Sequence, residues 1–189
     1  DFWVKDTNLD LNKNSKVIFV GNDGNRDWEL LLGIAKNMPD IQFIFVSKIP
    51  ELQSINLPNV ELYTGSWGDN NILDEDIRNL YSQSRLSIIP LRESTQPSGQ
   101  SVALQSMSCG IPVVISSTSG FWDNDSFTNK ENIIFQYENT LDGWIETIQS
   151  FYNNKIQLEK ISSNASSIIS KKFNLKVFNE QLNNVFSIK

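Results

Sequence analysis

The sequence contains no histidine and only one cysteine, Cys109, among its 189 residues. Without histidine, the chain cannot by itself build a His-ligated metal site, a Ser-His-Asp triad or a Cys-His pair. A single cysteine excludes a disulfide within the chain. We interpret Cys109 as a small buried apolar side chain, since it lies in the run SMSCGIP. Any chemistry therefore depends on carboxylates, amides, hydroxyls, Lys, Arg or backbone dipoles.

Long apolar runs and clustered positive charge are also missing. No run approaches the roughly 20 apolar residues of a membrane-spanning helix, and the N-terminus lacks a signal-peptide pattern. The 16 Lys and Arg residues are scattered and the net charge is -6. This disfavours a nucleic acid partner and gives no indication of membrane contact, although a local patch could still bind. The sequence starts without Met, so we interpret it as a fragment. We expect it in the cytoplasm, with any attachment to the inner face of the membrane made by missing parts.

The sequence does contain short apolar runs that alternate with amphipathic stretches. Six runs are predicted strands, at residues 16–21, 41–48, 59–65, 86–91, 113–116 and 131–137. This alternation predicts an α/β, Rossmann-like fold with about six mostly parallel strands and helices on both faces. Three apolar stripes near the C-terminus, starting at Leu141, Leu158 and Leu175, predict C-terminal helices. We expect a domain at 16–189, after an N-terminal extension or interdomain linker at 1–15.

Three polar, glycine-bearing loops follow predicted strands, at residues 21–27, 64–70 and 92–101. Ligands of a doubly wound sheet bind beyond the carboxyl ends of its strands. We therefore expect these loops to converge on one crevice.

The loop at 92–101 leads directly into a predicted helix. Its residues Ser98, Gly99, Gln100 and Ser101 fall at the first turn, where free N–H groups and the helix dipole favour an anion. Gly99 permits a phosphate to approach the backbone closely. An ordinary capped helix after a turn explains the same residues equally well, and both interpretations stay open here.

Other residues in or near these loops are candidates for ligand binding, and each also has a purely structural interpretation. Arg26 follows a glycine-bearing turn and can bind a phosphate bidentately, or be a solvated surface residue. Trp67 can stack on a nucleobase or anchor its loop. Gln105 can exchange hydrogen bonds with hydroxyls or be a plain helix position. The acids at 74–76 are interpreted as a solvated helix start, so we predict no metal site.

Four segments resemble a known family. The run SGQSVALQSMSCGIPVV, preceded by LYSQSRLSIIPLRES, resembles the donor-site region of GT-B glycosyltransferases, especially the retaining family 4. VIFVGNDGNRDWELLLGIA resembles that family's first strand, glycine loop and basic residue, and SSTSGFWDNDSFTNKENIIF resembles a later loop and strand. The resemblance covers about residues 16–186. It implies the nucleotide-sugar-binding, C-terminal half of a GT-B fold.

The resemblance also implies roles for single residues. Arg26 matches the basic residue that contacts the diphosphate, and Gly21 and Asn22 match the first glycine loop. Positions 98–101 match the loop and helix start that bind the sugar and the phosphates. Gln105 matches the second glutamate of the family's Glu-x7-Glu pattern, which usually holds ribose hydroxyls.

Two departures accompany the match. Gln105 replaces that glutamate, and eight positions earlier stands Pro97, not a first glutamate. Glu93 and Gln96 are nearby alternatives for a sugar contact, but neither keeps the spacing, so the catalytic residue is unassigned. The family's second basic residue also has no clear counterpart.

The resemblance implies transfer of a sugar from a nucleoside-diphosphate sugar to an unknown acceptor, with retention, without a metal and without a further cofactor. It implies an N-terminal acceptor domain of the same enzyme as partner. Two alternatives stay open. One is a catalytically silent nucleotide or sugar-phosphate binding module, which Gln105 favours. The other is a plain α/β interaction domain.

Overall fold

The computed structural model describes residues 2–6, 9–64 and 72–186. Its strands are β1 (Lys16–Val20), β2 (Gln42–Val46), β3 (Val60–Tyr63), β4 (Ser84–Ile89), β5 (Val113–Ser116) and β6 (Ile134–Gln136). Its α-helices are α1 (Trp28–Asn37), α2 (Asp74–Ser82), α3 (Gln100–Ser108), α4 (Leu141–Asn153), α5 (Lys155–Lys172) and α6 (Leu175–Phe186).

The six strands form one sheet in the order β3-β2-β1-β4-β5-β6. Each neighbouring pair is parallel. This order is that of a Rossmann fold, and the prediction of an α/β domain with a parallel sheet is confirmed. The sequence order reverses between β1 and β4, so the crevice of the fold lies beyond the carboxyl ends of these two strands.

β4 starts at Ser84, two residues before the predicted start at 86. The register between β1 and β4 shifts beside Arg85, which lies at a bulge. Arg85 is buried, and its guanidinium lies 4.9 Å from the ring centroid of Tyr152. A charged residue therefore lies within the strand, where its guanidinium makes a cation–π contact with an aromatic ring of α4.

Alternate residues of β1, β2, β4, β5 and β6 pack into two cores on opposite faces of the sheet, whereas β3 contributes Val60 and Leu62 to one of them only. On one face, Ile18 and Ile89 pack in a cluster with α2, α3 and the second half of α5. On the other face, Phe19 and Ile88 pack in a cluster with α1, α4 and the first half of α5. The 18-residue α5 joins both clusters. This packing explains why the predicted strands are apolar on both sides.

The ends of the chain differ in how they meet this core. Leu11 is 6% exposed, and Asn14 donates hydrogen bonds to the carbonyl oxygens of Ser82 and Ser84 at 2.6 and 3.0 Å. The boundary between residues 1–15 and the domain stays a prediction. The apolar stripe of α6 is exposed, with Leu175 at 70%, unlike the buried stripes of α4 and α5.

Candidate functional site

The loops after β1 and β4 are bonded to each other at the carboxyl edge of the sheet. The Asp27 N–H donates to the Pro90 carbonyl at 3.0 Å, and the Arg92 N–H donates to the Asn25 carbonyl at 2.8 Å. Between these two bonds, Arg26 and Leu91 form an antiparallel bridge. Two of the three predicted loops therefore converge at the crevice. The third, with Trp67, lies outside the described residues.

Arg26 is buried against two glycines rather than lying on the surface. Its side chain is 3% exposed. A Cβ on Gly21 would lie 2.1 Å from the Arg26 Nε, and one on Gly99 would lie 3.0 Å from Nη1. Any larger residue at position 21 would overlap the arginine, so glycine makes room for the buried side chain.

The Arg26 guanidinium is incompletely bonded. Its Nη1 donates to the Ser98 Oγ at 3.4 Å, and its Nη2 lies 3.3 Å from the Asp23 Oδ2. The Nε is buried and has no partner within the described residues. Burial lowers the pKa of this guanidinium, and the Asp23 carboxylate opposes that shift. Arginine nevertheless keeps its positive charge, since its ordinary pKa lies far above neutral.

α3 begins beside this arginine at Gln100, so a helix follows the loop as predicted, but Ser98 precedes the N-cap instead of lying in the first turn. Gly99 is its N-cap, with a φ of 75° and no side-chain cap. The first helical bond runs from the Ala103 N–H to the Gly99 carbonyl at 2.9 Å. The N–H groups of the first turn have no helical acceptor, because they precede that bond.

The structure explains the glycine at position 99 without the predicted close approach of a phosphate. A Cβ there would lie 2.8 Å from the Ile89 Cγ2 and 3.3 Å from the Ile115 Cδ1. Its positive φ also disfavours any residue with a side chain. Glycine is therefore required by backbone conformation and by packing onto β4 and β5.

A cavity of about 450 Å³ lies between the two loops. Five predicted residues line it together with four others, namely Arg26, Ser98, Gly99, Gln100, Ser101, Asp23, Asn25, Pro97 and Leu104. A buried cation, hydroxyls and the positive end of a helix share this space. The arrangement suits an anion that carries several oxygen acceptors.

The other predicted residues that the structure describes are outside the lining of this cavity. Gln105 faces a neighbouring groove of about 910 Å³, which shares Leu104 with the cavity. Asn22 accepts a hydrogen bond from the Lys48 N–H at 2.6 Å, and the Gly21 carbonyl accepts one from the Ser47 Oγ at 2.7 Å. Positions 21 and 22 thereby tie the loop after β1 to the end of β2.

Glu93 and Gln96 are exposed and outside the cavity lining. The Glu93 Oε1 accepts hydrogen bonds from the Ser119 N–H at 3.0 Å and from the Ser119 hydroxyl. These two bonds lower the pKa of the Glu93 carboxyl. Glu93 thus joins the loop after β4 to the loop after β5. The Gln96 N–H donates to the Ser94 Oγ at 3.0 Å.

The sequence reasoning missed Asp23. Its Oδ1 accepts from the Ser98 Oγ at 2.9 Å and from the Asn25 N–H at 3.1 Å, while its Oδ2 faces Arg26. The available signal was an acid three residues before the arginine in a glycine-bearing loop. The contact with Ser98 joins positions 75 residues apart, which no local pattern reveals.

Three further predictions concern Cys109, metal binding and membrane-spanning helices. Cys109 is 3% exposed, and burial raises its pKa to about 12, as suits an inert apolar side chain. Within residues 2–6, 9–64 and 72–186, no group of three or more His, Cys, Asp or Glu side chains could hold a metal ion. Across those same ranges, no helix is long and apolar enough to cross a membrane.

Comparison with known proteins now adds to this geometry. The family model described as glycosyl transferases group 1 matches residues 14–154. No curated protein is a significant match to the sequence.

Solved structures share the fold. The C-terminal domain of a glycosyl transferase group 1 family protein (LpcC) from Francisella tularensis has a TM-score of 0.68 and 12% identity, with 92% of this chain and 97% of that chain covered. Anabaena Alr3699/HepE in complex with UDP-glucose has a TM-score of 0.73 and 18% identity, covering 94% of this chain and 50% of that one. TarM of S. aureus has a TM-score of 0.75 and 14% identity, covering 97% and 37%. The chain thus spans half or less of these two longer proteins.

Proposed function

This chain belongs to the group 1 glycosyl transferase family, and from that premise we propose that it binds a nucleoside-diphosphate sugar. In this proposal it is the donor-binding half, residues 16–189, of an enzyme that transfers the sugar to an acceptor. Residues 1–15 are then an extension or linker, and the acceptor domain of the same enzyme is the partner. Support comes from its fold, which is shared with the C-terminal domain of another family member.

One observation carries the proposal: Arg26 is 3% exposed, yet it lines a cavity, and its Nε has no partner within the described residues. Burying an arginine without full hydrogen bonding costs free energy, and a bound diphosphate would offset that cost. The uncapped start of α3 faces the same cavity with further N–H donors. We assign the diphosphate to this space, between Arg26 and positions 98–101.

The reaction follows from where negative charge develops. When the sugar–oxygen bond breaks, charge grows on the leaving nucleoside diphosphate. Arg26 and the first turn of α3 are fixed donors that stabilise this charge without rearranging at the moment of reaction. We propose a retaining, metal-independent transfer. In it, the acceptor attacks from the face of the sugar that the leaving phosphate occupies, and that phosphate assists the attack. Gln105 is assigned to the ribose hydroxyls, and Glu93, Gln96 and Trp67 are alternatives for sugar or base contacts.

The test is calorimetric titration of the chain with UDP-glucose and with GDP- and ADP-sugars. UDP-glucose is the first choice because Anabaena Alr3699/HepE is solved with it. Arg26→Gln should weaken binding by about 10- to 100-fold, the loss expected for one charge-assisted contact of 1.5–3 kcal/mol. Arg78→Gln is the matched control, since it removes the same charge from a side chain outside the cavity lining. Absence of binding for every donor, or equal losses in both variants, would contradict the proposal.

A catalytically silent binding module is the second candidate. Its support is Gln105, which stands at the family's glutamate position and faces the neighbouring groove, not the cavity of Arg26. The two candidates separate when the full enzyme is assayed for release of nucleoside diphosphate from the donor. Binding without any release favours the silent module.

A further inference from the structure

Asp23 and Arg26 lie 3.3 Å apart and both line the cavity to which the diphosphate is assigned. We propose that the Asp23 carboxylate acts as an internal substitute for a ligand phosphate and lowers the affinity of the cavity for nucleoside diphosphates. The inference rests on the proposed function, because it concerns the same cavity. It assigns to Asp23 a role in setting affinity, exerted through Arg26.

Two hydrogen bonds hold the carboxylate at the cavity. Its Oδ1 accepts from the Ser98 Oγ at 2.9 Å and from the Asn25 N–H at 3.1 Å. The side chain is 47% exposed, whereas that of Arg26 is 3% exposed. Both residues line the cavity. Asp23 is therefore the more exposed member of the pair, and hydrogen bonds to both loops hold it at the cavity.

The pair with Arg26 is longer than a strong ion pair. The Nη2–Oδ2 distance is 3.3 Å, against about 2.7–2.9 Å for well-formed charge-assisted bonds. Asp23 is anchored elsewhere by its shorter bonds, so it neutralises the arginine without satisfying its donors. Within the described residues, the Arg26 Nε has no acceptor at all. Phosphate oxygens can make short bonds to the Nη groups of Arg26, but only against the repulsion of the carboxylate.

This arrangement has a consequence for turnover. A nucleoside diphosphate is both part of the donor and the product that must leave. A fixed negative charge beside Arg26 weakens the hold on both, and it favours release of the product once the sugar is gone. Asp23 keeps the guanidinium in place while the cavity is empty.

The experiment titrates the chain with inorganic pyrophosphate, which tests the anion contact without a base or sugar. Asp23→Asn removes the charge while keeping an oxygen acceptor for Ser98 and Asn25. We expect roughly threefold to tenfold tighter binding of pyrophosphate, the range for a partly exposed charge interaction of about 1 kcal/mol. Asp142→Asn is the matched control, because it makes the same charge change at the exposed start of α4. It should leave the affinity unchanged.

A double-mutant cycle with Arg26→Gln shows whether Asp23 acts through the arginine. We expect the gain from Asp23→Asn to vanish in that background. If the gain persists there, or if Asp142→Asn gives the same gain, general charge removal is the cause and the inference fails. If the wild-type chain binds pyrophosphate and Asp23→Asn binds it no more tightly, the inference alone is overturned. If neither protein binds pyrophosphate or any nucleoside diphosphate, the proposed function fails with it.

Discussion

At the scale of single residues, the site depends on a glycine that touches no ligand in our assignment. Gly21→Ala should displace the Arg26 side chain, because the added Cβ would lie 2.1 Å from its Nε. We expect a loss of about 1–3 kcal/mol in unfolding free energy from overpacking. Nucleotide affinity should fall by roughly tenfold or more with the lost arginine contact. Denaturant unfolding and calorimetric titration measure the two effects.

Gly24→Ala is the control for that change, since it lies in the same loop and a Cβ there meets nothing within 4 Å. It should leave stability within about 0.5 kcal/mol of the wild type. Equal effects at both positions would contradict the claim that position 21 acts through Arg26.

At the scale of elements, one buried side chain fixes the end of α1 against the start of β3. The Asn59 Nδ2 lies 2.9, 3.1 and 3.1 Å from the carbonyl oxygens of Ala35, Met38 and Ile41. Asn59→Ala should destabilise the fold by about 1–2 kcal/mol, because these carbonyls lose a buried amide donor, while the Ala35 and Met38 carbonyls keep backbone bonds from the Met38 and Ile41 N–H groups. Thermal and denaturant unfolding measure the loss.

The control at this scale is Asn37→Ala. The Asn37 Nδ2 also donates to a helix carbonyl, that of Gly33 at 2.8 Å, but from an exposed side chain. Water replaces this bond, so the change should cost under about 0.5 kcal/mol. A small loss at Asn59, comparable to that at Asn37, would show that the α1–β3 connection does not depend on this amide.

The elements themselves could be predicted from sequence, whereas the partners of polar residues could not. The run at 113–116 could be predicted as a strand from its sequence, since every residue of it is buried in a parallel sheet. No sequence pattern predicts the hydrogen bonds of Asn59, because its three acceptors lie 18 to 24 residues earlier and meet it only after folding. Arg26 was recognised as a candidate, but its burial depends on Gly21 and Gly99 meeting across two loops.

At the scale of the whole molecule, the strand order places the loops after β1 and β4 side by side. The assigned diphosphate cavity lies where they meet, and the lining residues come from these loops and from the start of α3. Residues far apart in sequence, such as Arg26 and Ser98, become neighbours for that reason. The position of the cavity therefore follows from the strand order of the sheet.

The last prediction separates donor binding from transfer. Attack on the sugar requires an acceptor oxygen held about 3–3.5 Å from the reacting carbon, and the residues lining the cavity are assigned to the donor alone. The 189-residue chain should bind UDP-glucose, yet release UDP more than roughly a thousandfold more slowly than the full enzyme, since the proximity contribution is missing. The rate of UDP release is measured for the chain and for the full enzyme. The Arg26→Gln variant of each protein shows how much of that rate depends on the cavity. Release by the chain alone at the rate of the full enzyme would contradict its assignment as a donor-binding half.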